Sequence, residues 1–383
     1  MEAFCTMIQG DLPPVGHKIS LQVSKENPLQ ELLGMHQYWV DSGTSALALA
    51  LCDAKERFAH VKNPRAIIPG YCCPDLVAAC VYAGVEPVAI DINANDPSYD
   101  FEQLRAHLDS SVIAIVAVNF LGLAERLTEL RQLISDSGLQ TLLIEDNAQW
   151  FPAAKEEAIF SGDYVVFSFG RGKPLSLLGG GLLLSADPLD SSVVRKIAPP
   201  APVSALLPIK IRAYNYLLNP AFYLLLNRNP LLSLGKTEYH PLDDIRFMDD
   251  FRMDLLSENF NAYQLRQSEA ADAFHSRLSA CGLQKLVALD SPRARRMLRY
   301  PLLCAQETQR DTLLEKLNKA GLGATAMYAT DIDKVSGVEG LVTLPVDLTN
   351  AGHFARRLVT LPVHAGVTQF QRERILQLLA VRA

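Results

Sequence analysis

A lysine set among glycines is the first residue here whose surroundings suit chemistry. The run Phe167-Ser168-Phe169-Gly170-Arg171-Gly172-Lys173-Pro174 follows an apolar stretch. Pro174 biases Lys173 away from helical geometry, and Gly170 and Gly172 admit a bulky ring and backbone angles that other residues avoid. A lysine withdrawn from water titrates lower and offers a neutral amine as nucleophile. A lone lysine in a loop is ordinarily a solvated surface residue, so its company decides.

Two other stretches provide that company. Thr141-Leu142-Leu143-Ile144-Glu145-Asp146-Asn147-Ala148-Gln149 is a buried-strand pattern ending in an acidic pair. Ligands of open parallel sheets gather beyond the carboxyl ends of strands, and a carboxylate there needs a cationic or hydrogen-bonding partner to stay ionised. Asp146 would suit a protonated pyridine nitrogen, or would simply cap the following turn. Earlier, Asp41-Ser42-Gly43-Thr44-Ser45 opens a run of helix formers. Unpaired amides and the helix dipole make such a start an anion site, although the same residues also serve as an ordinary N-cap. Anion cradle, strand-end aspartate and lysine, in that order, are the parts that hold pyridoxal phosphate.

Positioning these residues requires a sheet. Ala66–Pro69, Pro87–Ile92, Val112–Phe120, Thr141–Ile144, Tyr164–Phe169 and Gly181–Ser185 have strand length and are largely apolar. Helical patterns at Pro74–Tyr82, Phe101–Leu108 and Glu125–Ser135 separate the first four. Continuous apolar strands alternating with helices predict a mostly parallel sheet covered on both faces. Beyond residue 245 the pattern predicts a smaller α/β domain. It comprises a long helix (Asp254–Ala280), strands at Leu298–Cys304 and Ala324–Tyr328, and helices at Arg310–Ala320 and Thr368–Val381. Two domains result, 1–245 and 246–383.

Composition narrows the function classes. Of 383 residues, 49% are hydrophobic and the formal net charge is −6, which leaves no basic footprint for nucleic acid. Arg293, Arg295, Arg296 and Arg299 are interrupted by apolar residues and read as a solvated face or anion contacts. The seven cysteines show no metal-ligand spacing, so no metal is expected. They read as reduced core thiols of a cytoplasmic protein. Met1–Pro14 lacks the pattern of a signal peptide. The apolar segment 201–234 is broken by Lys210, Arg212 and Arg228, and by Pro208, Pro220 and Pro230. It has no run of about 18 apolar residues and is expected to be buried between subunits rather than to lie on a membrane. One helix is predicted over Arg212–Leu226.

The sequence resembles the DegT/DnrJ/EryC1/StrS family of aminotransferases. Ser42-Gly43-Thr44-Ser45-Ala46-Leu47 is similar to the family's phosphate turn, Glu145-Asp146-Asn147-Ala148-Gln149 to its E-D-A-A-Q, and Phe167 to Lys173 to its F-S-F-x-x-x-K. Tyr82-Ala83-Gly84 with Pro87 and Asp91, Arg252-Met253, and Leu358 to His364 add to the likeness. The resemblance implies a fold-type I enzyme that uses pyridoxal 5′-phosphate. Lys173 would carry the cofactor as a Schiff base and move the proton between Cα and C4′. Asp146 would keep the pyridine nitrogen protonated, and Gln149 would bond the ring's 3′-oxygen. Gly43, Thr44, Ser45 and Ser168 would bind phosphate.

Two positions depart from the family. Cys73 stands where an aromatic residue usually stacks on the ring, with Tyr71 as the candidate substitute. Asp250 stands where an asparagine usually reaches the partner's phosphate. The implied activity is amino transfer from glutamate or glutamine to a keto acceptor such as a nucleotide-linked keto-sugar, in a homodimer whose site lies at the subunit interface. A pyridoxal-phosphate lyase or dehydratase and a non-catalytic cofactor-binding regulator are the alternatives.

Overall fold

The computed structural model describes residues 10–227, 237–266, 269–278, 283 and 286–380. The first part of the chain runs β1 (His36–Val40), α1 (Gly43–Arg57), β2 (Arg65–Pro69), α2 (Asp75–Ala83), β3 (Glu86–Ile90), β4 (Ile92–Asn93), β5 (Asp96–Tyr99), α3 (Phe101–Ala106), β6 (Val112–Val118), α4 (Leu127–Ser137), β7 (Leu142–Asp146), β8 (Tyr164–Ser168) and β9 (Gly181–Ser185). Then come α5 (Leu207–Leu217), α6 (Pro220–Asn227), α7 (Asp250–Gln264), α8 (Glu269–Arg277), β10 (Arg299–Leu303), α9 (Glu307–Lys319), α10 (Thr349–Arg357), β11 (Leu358–Pro362) and α11 (Gln369–Ala380).

Seven strands form one sheet in the order β1-β9-β8-β7-β6-β2-β3. Only β9 runs against the others, pairing antiparallel with both β8 and β1. The sequence dictates this layering. β6 reads VIAIVAV, with six of its seven residues buried, and β-branched residues facing both ways need cover on both faces. Leu130, Leu133 and Ile134 of α4 cover Ile115 and Leu143 on one side. Leu47 and Leu51 of α1 pack with Val166 and Leu183 on the other.

Several sequence expectations need correction. The segment predicted as one helix over Arg212–Leu226 is two helices, because Pro220 has no N–H with which to continue a helix. Residues 228–234 of the apolar segment lie outside the described residues. The long helix expected over Asp254–Ala280 is likewise two, α7 and α8, and its last residues also lie outside them. Ala324–Tyr328 contributes only an isolated bridge between Thr325 and Thr360, and Met327 turns to a positive φ of 55°. α7 packs through Leu255, Leu256 and Phe260 against Phe151, Phe167 and Leu184 of the large sheet.

The stretch 10–24 ties the two parts together. Asp11 N–H donates to Pro220 O (3.0 Å) and Leu12 N–H to Gly321 O (2.8 Å). Ile19 and Asn215 exchange two hydrogen bonds, and Ser20 N–H donates to the Asn259 side chain. Pro13 O meets His364 Nε2 at 2.9 Å. Burial holds the His364 imidazole down at about 4, so it stays neutral and structural.

Arg299 corrects the reading of the arginine cluster. It is only 2% exposed rather than solvated. Its guanidinium donates to Thr360 Oγ1 (2.7 Å), Thr360 O (2.7 Å), Gly323 O (2.9 Å) and Pro14 O (2.5 Å). Burial lowers it to about 9. Removing this fork strands buried carbonyls on three chain segments at once. Arg299→Ala is therefore expected to destabilise the fold by roughly 3 kcal/mol or more, read as a lower urea midpoint. An unchanged midpoint would mean that the carbonyls find other donors.

Candidate active site

Every candidate residue lies at the same end of the sheet, beyond the carboxyl ends of β1, β2, β7 and β8. Ser42, with an extended φ of −155°, caps α1 by accepting the Ser45 N–H at 3.0 Å. Capping and anion binding coexist here, because the cap leaves the amides of Gly43 and Thr44 without intrahelical partners. Ser45, expected in the cradle, is fully buried, and its hydroxyl lies 2.8 Å from that of Ser42. In this position its hydroxyl supports the cap.

Ser168 ends β8 directly against this turn. A Cβ on Gly43 would lie 2.6 Å from the Ser168 Cβ, and one on Gly181 only 2.1 Å from Ser42 O. Glycine is thus what lets the helix start reach the strand ends. Gly43→Ala would force Ser168 and the turn apart at an overpacking cost of about 1–3 kcal/mol. Weaker uptake of pyridoxal phosphate with an intact fold is expected, measured by absorbance titration. Unchanged uptake would remove this turn from the phosphate site.

Asp146 ends β7 and is 7% exposed. One carboxylate oxygen accepts the Ala148 N–H at 2.9 Å. Burial pushes the carboxyl above its ordinary range, the Ala148 N–H and the Lys173 charge pull it down, and Asp75 raises it again. Its neighbour Glu145 faces elsewhere and accepts the Gly162 and Ser161 amides, pinning the entry to β8. Lys173 sits in a turn in which its N–H donates to Gly170 O at 3.3 Å, with Gly172 at φ 77°. A positive φ explains the glycine at 172.

Gln149 is held from both ends. Its Oε1 accepts the Leu121 N–H at 2.8 Å and its Nε2 donates to the Tyr328 hydroxyl at 3.0 Å. One hydrogen of Nε2 remains for a ligand. Tyr71 is 1% exposed, packs against Phe120, Tyr328 and Phe354, and donates its hydroxyl to Tyr328 O at 3.1 Å. That makes Tyr71 a joint between the two parts of the chain rather than an open stacking surface. Cys73 is the half-buried residue beside Lys173 and Asp75, its thiol pushed up to about 12 chiefly by burial. Tyr328 and Asp75 are the site residues that sequence reasoning missed. Tyr328 was read as part of a strand, and Asp75 as one residue of the helical pattern at Pro74–Tyr82.

Asp249, not Asp250, governs the start of α7. It accepts the Arg252 N–H at 3.0 Å and pairs with the Arg252 guanidinium, while Asp250 is exposed. Arg252 also bonds the carbonyls of Leu177 and Leu178, bracing the loop that leads into β9.

A mostly parallel, doubly covered sheet with this lysine, aspartate and helix start at one end has the fold of pyridoxal-phosphate-dependent sugar aminotransferases. The chain belongs to the DegT/DnrJ/EryC1/StrS aminotransferase family, whose pattern matches residues 25–200 and 257–380. The unmatched interval holds α5, α6 and Arg252-Met253. The chain is 28% identical over 165 residues to dTDP-3-amino-3,4,6-trideoxy-alpha-D-glucose transaminase of Micromonospora megalomicea subsp. nigra, covering 42% of each chain. It is 29% identical over 153 residues to GDP-perosamine synthase of Vibrio cholerae, covering 39% of this chain and 40% of that one. The alignments thus span about two fifths of the length of the curated relatives it matches. NtdA of Bacillus subtilis, solved with its cofactor PMP bound, shares the fold at a TM-score of 0.66 and 15% identity. That likeness covers 92% of this chain and 74% of NtdA. Among the described residues no helix is long and apolar enough to cross a membrane.

Proposed function

We propose that this chain is a pyridoxal-phosphate-dependent aminotransferase that moves an amino group from glutamate or glutamine to a nucleotide-linked keto-sugar. The observation that carries the reading is the convergence of Lys173, Asp146 and the Gly43–Ser168 contact at one end of the sheet. These residues fit the cofactor on physical grounds. A buried carboxyl raised by desolvation calls for a cation, which a pyridinium nitrogen provides. A helix start pressed against a serine hydroxyl is a cradle for phosphate.

When bound, pyridoxal phosphate supplies an electron sink for charge developing at the substrate Cα. The protein's residues do the rest. Lys173 Nζ would bond the cofactor, then take and return the proton at Cα. Asp146 would hold the proton on the pyridine nitrogen, and the Ala148 N–H fixes the orientation of its carboxylate. The free amides of Gly43 and Thr44 and the Ser168 hydroxyl would bind phosphate. Gln149, immobilised by Leu121 and Tyr328, would direct its remaining N–H at the ring oxygen.

The reading includes a homodimer with the site at the subunit interface, as the family resemblance implies. Sedimentation as a monomer at working concentration would contradict it. The activity is tested by following the amino group from ¹⁵N-glutamate into nucleotide-linked keto-sugars. Exchange of the Cα hydrogen with solvent but no transfer of nitrogen would replace this reading by a lyase or dehydratase.

A further inference from the structure

Next to the Lys173 turn lies a group of cations that the proposed chemistry does not use. A groove of about 370 Å³ is lined by Arg266, Arg295, Arg296, Met297 and Tyr300, with Asp272 at its exposed rim. Arg266 and Arg296 also line a smaller hollow bounded by Pro174, the residue after Lys173. Arg266 donates to Pro174 O, which fixes one end of the groove to the catalytic turn.

The charges in this groove are poorly balanced. Arg295 sits over the Trp150 ring at 4.3 Å and feels the carboxylates of Glu145 and Glu157. Arg266 and Arg296 have no carboxylate at ion-pair distance among the described residues, and both lie over the same Tyr263 ring, 5.1 Å and 4.9 Å from its centroid. Burial, and then the charge of Arg296, lowers Arg266 to about 10. His17, in the adjoining hollow, is held well below its usual range by burial and by Arg266, so it adds no charge. Each arginine gives one N–H to a backbone carbonyl, Arg296 to Tyr263 O at 2.8 Å. Two partly buried guanidiniums that repel each other are a cost to the free protein. An anion between them would remove that cost, and planar forks match phosphate oxygens well.

We infer that Arg266 and Arg296, backed by Arg295, form a phosphoryl-binding subsite that holds the acceptor substrate beside Lys173. The ligand is a phosphate-bearing molecule, either a nucleoside diphosphate ester or a simple phosphate monoester. This deepens the aminotransferase reading and rests on it for the identity of the acceptor, but the anion site itself stands on the geometry alone.

The test is calorimetric titration of pyridoxal-phosphate-loaded protein with inorganic pyrophosphate, in wild type, Arg266→Gln, Arg296→Gln and Arg296→Lys. Loading occupies the Gly43–Ser168 cradle, so a further anion must bind elsewhere. Visible absorbance of the same samples reports the loading. One equivalent is expected to bind wild type, each glutamine variant to bind about ten-fold more weakly or worse, and Arg296→Lys to recover part of the loss. Uridine diphosphate binding more tightly than pyrophosphate would identify the nucleotide-linked ligand, and inorganic phosphate binding equally well the monoester. Both results support the subsite. No uptake by wild type, or equal uptake by folded glutamine variants, overturns it. Should the variants fail to fold, wild-type binding that does not weaken with rising salt overturns it too. Protein that fails to load but binds pyrophosphate through Arg296 keeps the subsite and loses the aminotransferase reading.

Discussion

Lys173→Ala is expected to lower amino transfer by about 10⁴-fold, because in the proposed reaction one side chain would both carry the cofactor and handle the substrate proton. The surrounding structure allows the change without collapse. Lys173 lies in a turn whose hydrogen bond is made by its backbone N–H, and the buried cores on either face of the sheet do not include it. The variant should therefore keep its thermal midpoint and still bind the cofactor through Asp146 and the helix start. Added methylamine should restore part of the rate, since a free amine can serve as a proton carrier where the side chain is missing. Initial rates of nitrogen transfer decide the matter. Activity within ten-fold of wild type (about 1.4 kcal/mol) would remove Lys173 from the reaction.

Asp146→Asn is the second large effect, and activity and stability should move in opposite directions. Asparagine keeps an oxygen for the Ala148 N–H but loses the charge that would hold a proton on the pyridine nitrogen. A loss of about 10²–10³-fold is expected, the magnitude of removing one preorganised electrostatic group. Burial raises the folded-state carboxyl above its unfolded value. Such a group costs the fold stability as pH rises from the unfolded value through the folded one, and the cost persists at neutral pH. Cofactor-free Asp146→Asn should thus melt at or above the wild-type temperature at neutral pH, with the gap narrowing as the pH is lowered. A clearly lower Tm at neutral pH would make Asp146 a structural cap of the turn.

Much of the sheet was legible because its strands are buried on both faces and need no alternation to be seen. Val112–Val118 and Leu142–Asp146 differ from their predicted limits by about two residues. β1 was not read, since His36-Gln37-Tyr38-Trp39-Val40 is a polar-flanked edge strand with only Val40 fully buried. Helix length was overestimated twice, at Pro220 and beyond Gln264, where apolar periodicity continued across a break in the backbone.

The site divides in the same way. The shared position of Gly43, Asp146, Ser168 and Lys173 at one end of the sheet was readable because strand ends and helix starts announce themselves through glycine, proline and caps. Tyr71 was placed by position in a motif, and its ring turned out to be enclosed by Phe120, Tyr328 and Phe354. Tyr328 is more than 170 residues from the glutamine that it holds, and no local pattern carries such a contact. The arginines of the 293–299 cluster have four different fates. Arg293 pairs with Asp96 at 2.8 Å, Arg295 stacks on Trp150, Arg296 stacks on Tyr263 and Arg299 is buried. Charge spacing alone could not separate them.

The most direct measurement is the absorption spectrum of the purified protein with pyridoxal phosphate, before and after borohydride, followed by mass mapping of the modified peptide. The account predicts a visible band that borohydride converts into a permanent link at Lys173 in wild type, and no link in Lys173→Ala. A band without fixation, or fixation at another lysine, would contradict the central assignment. No band at saturating cofactor would contradict cofactor binding itself.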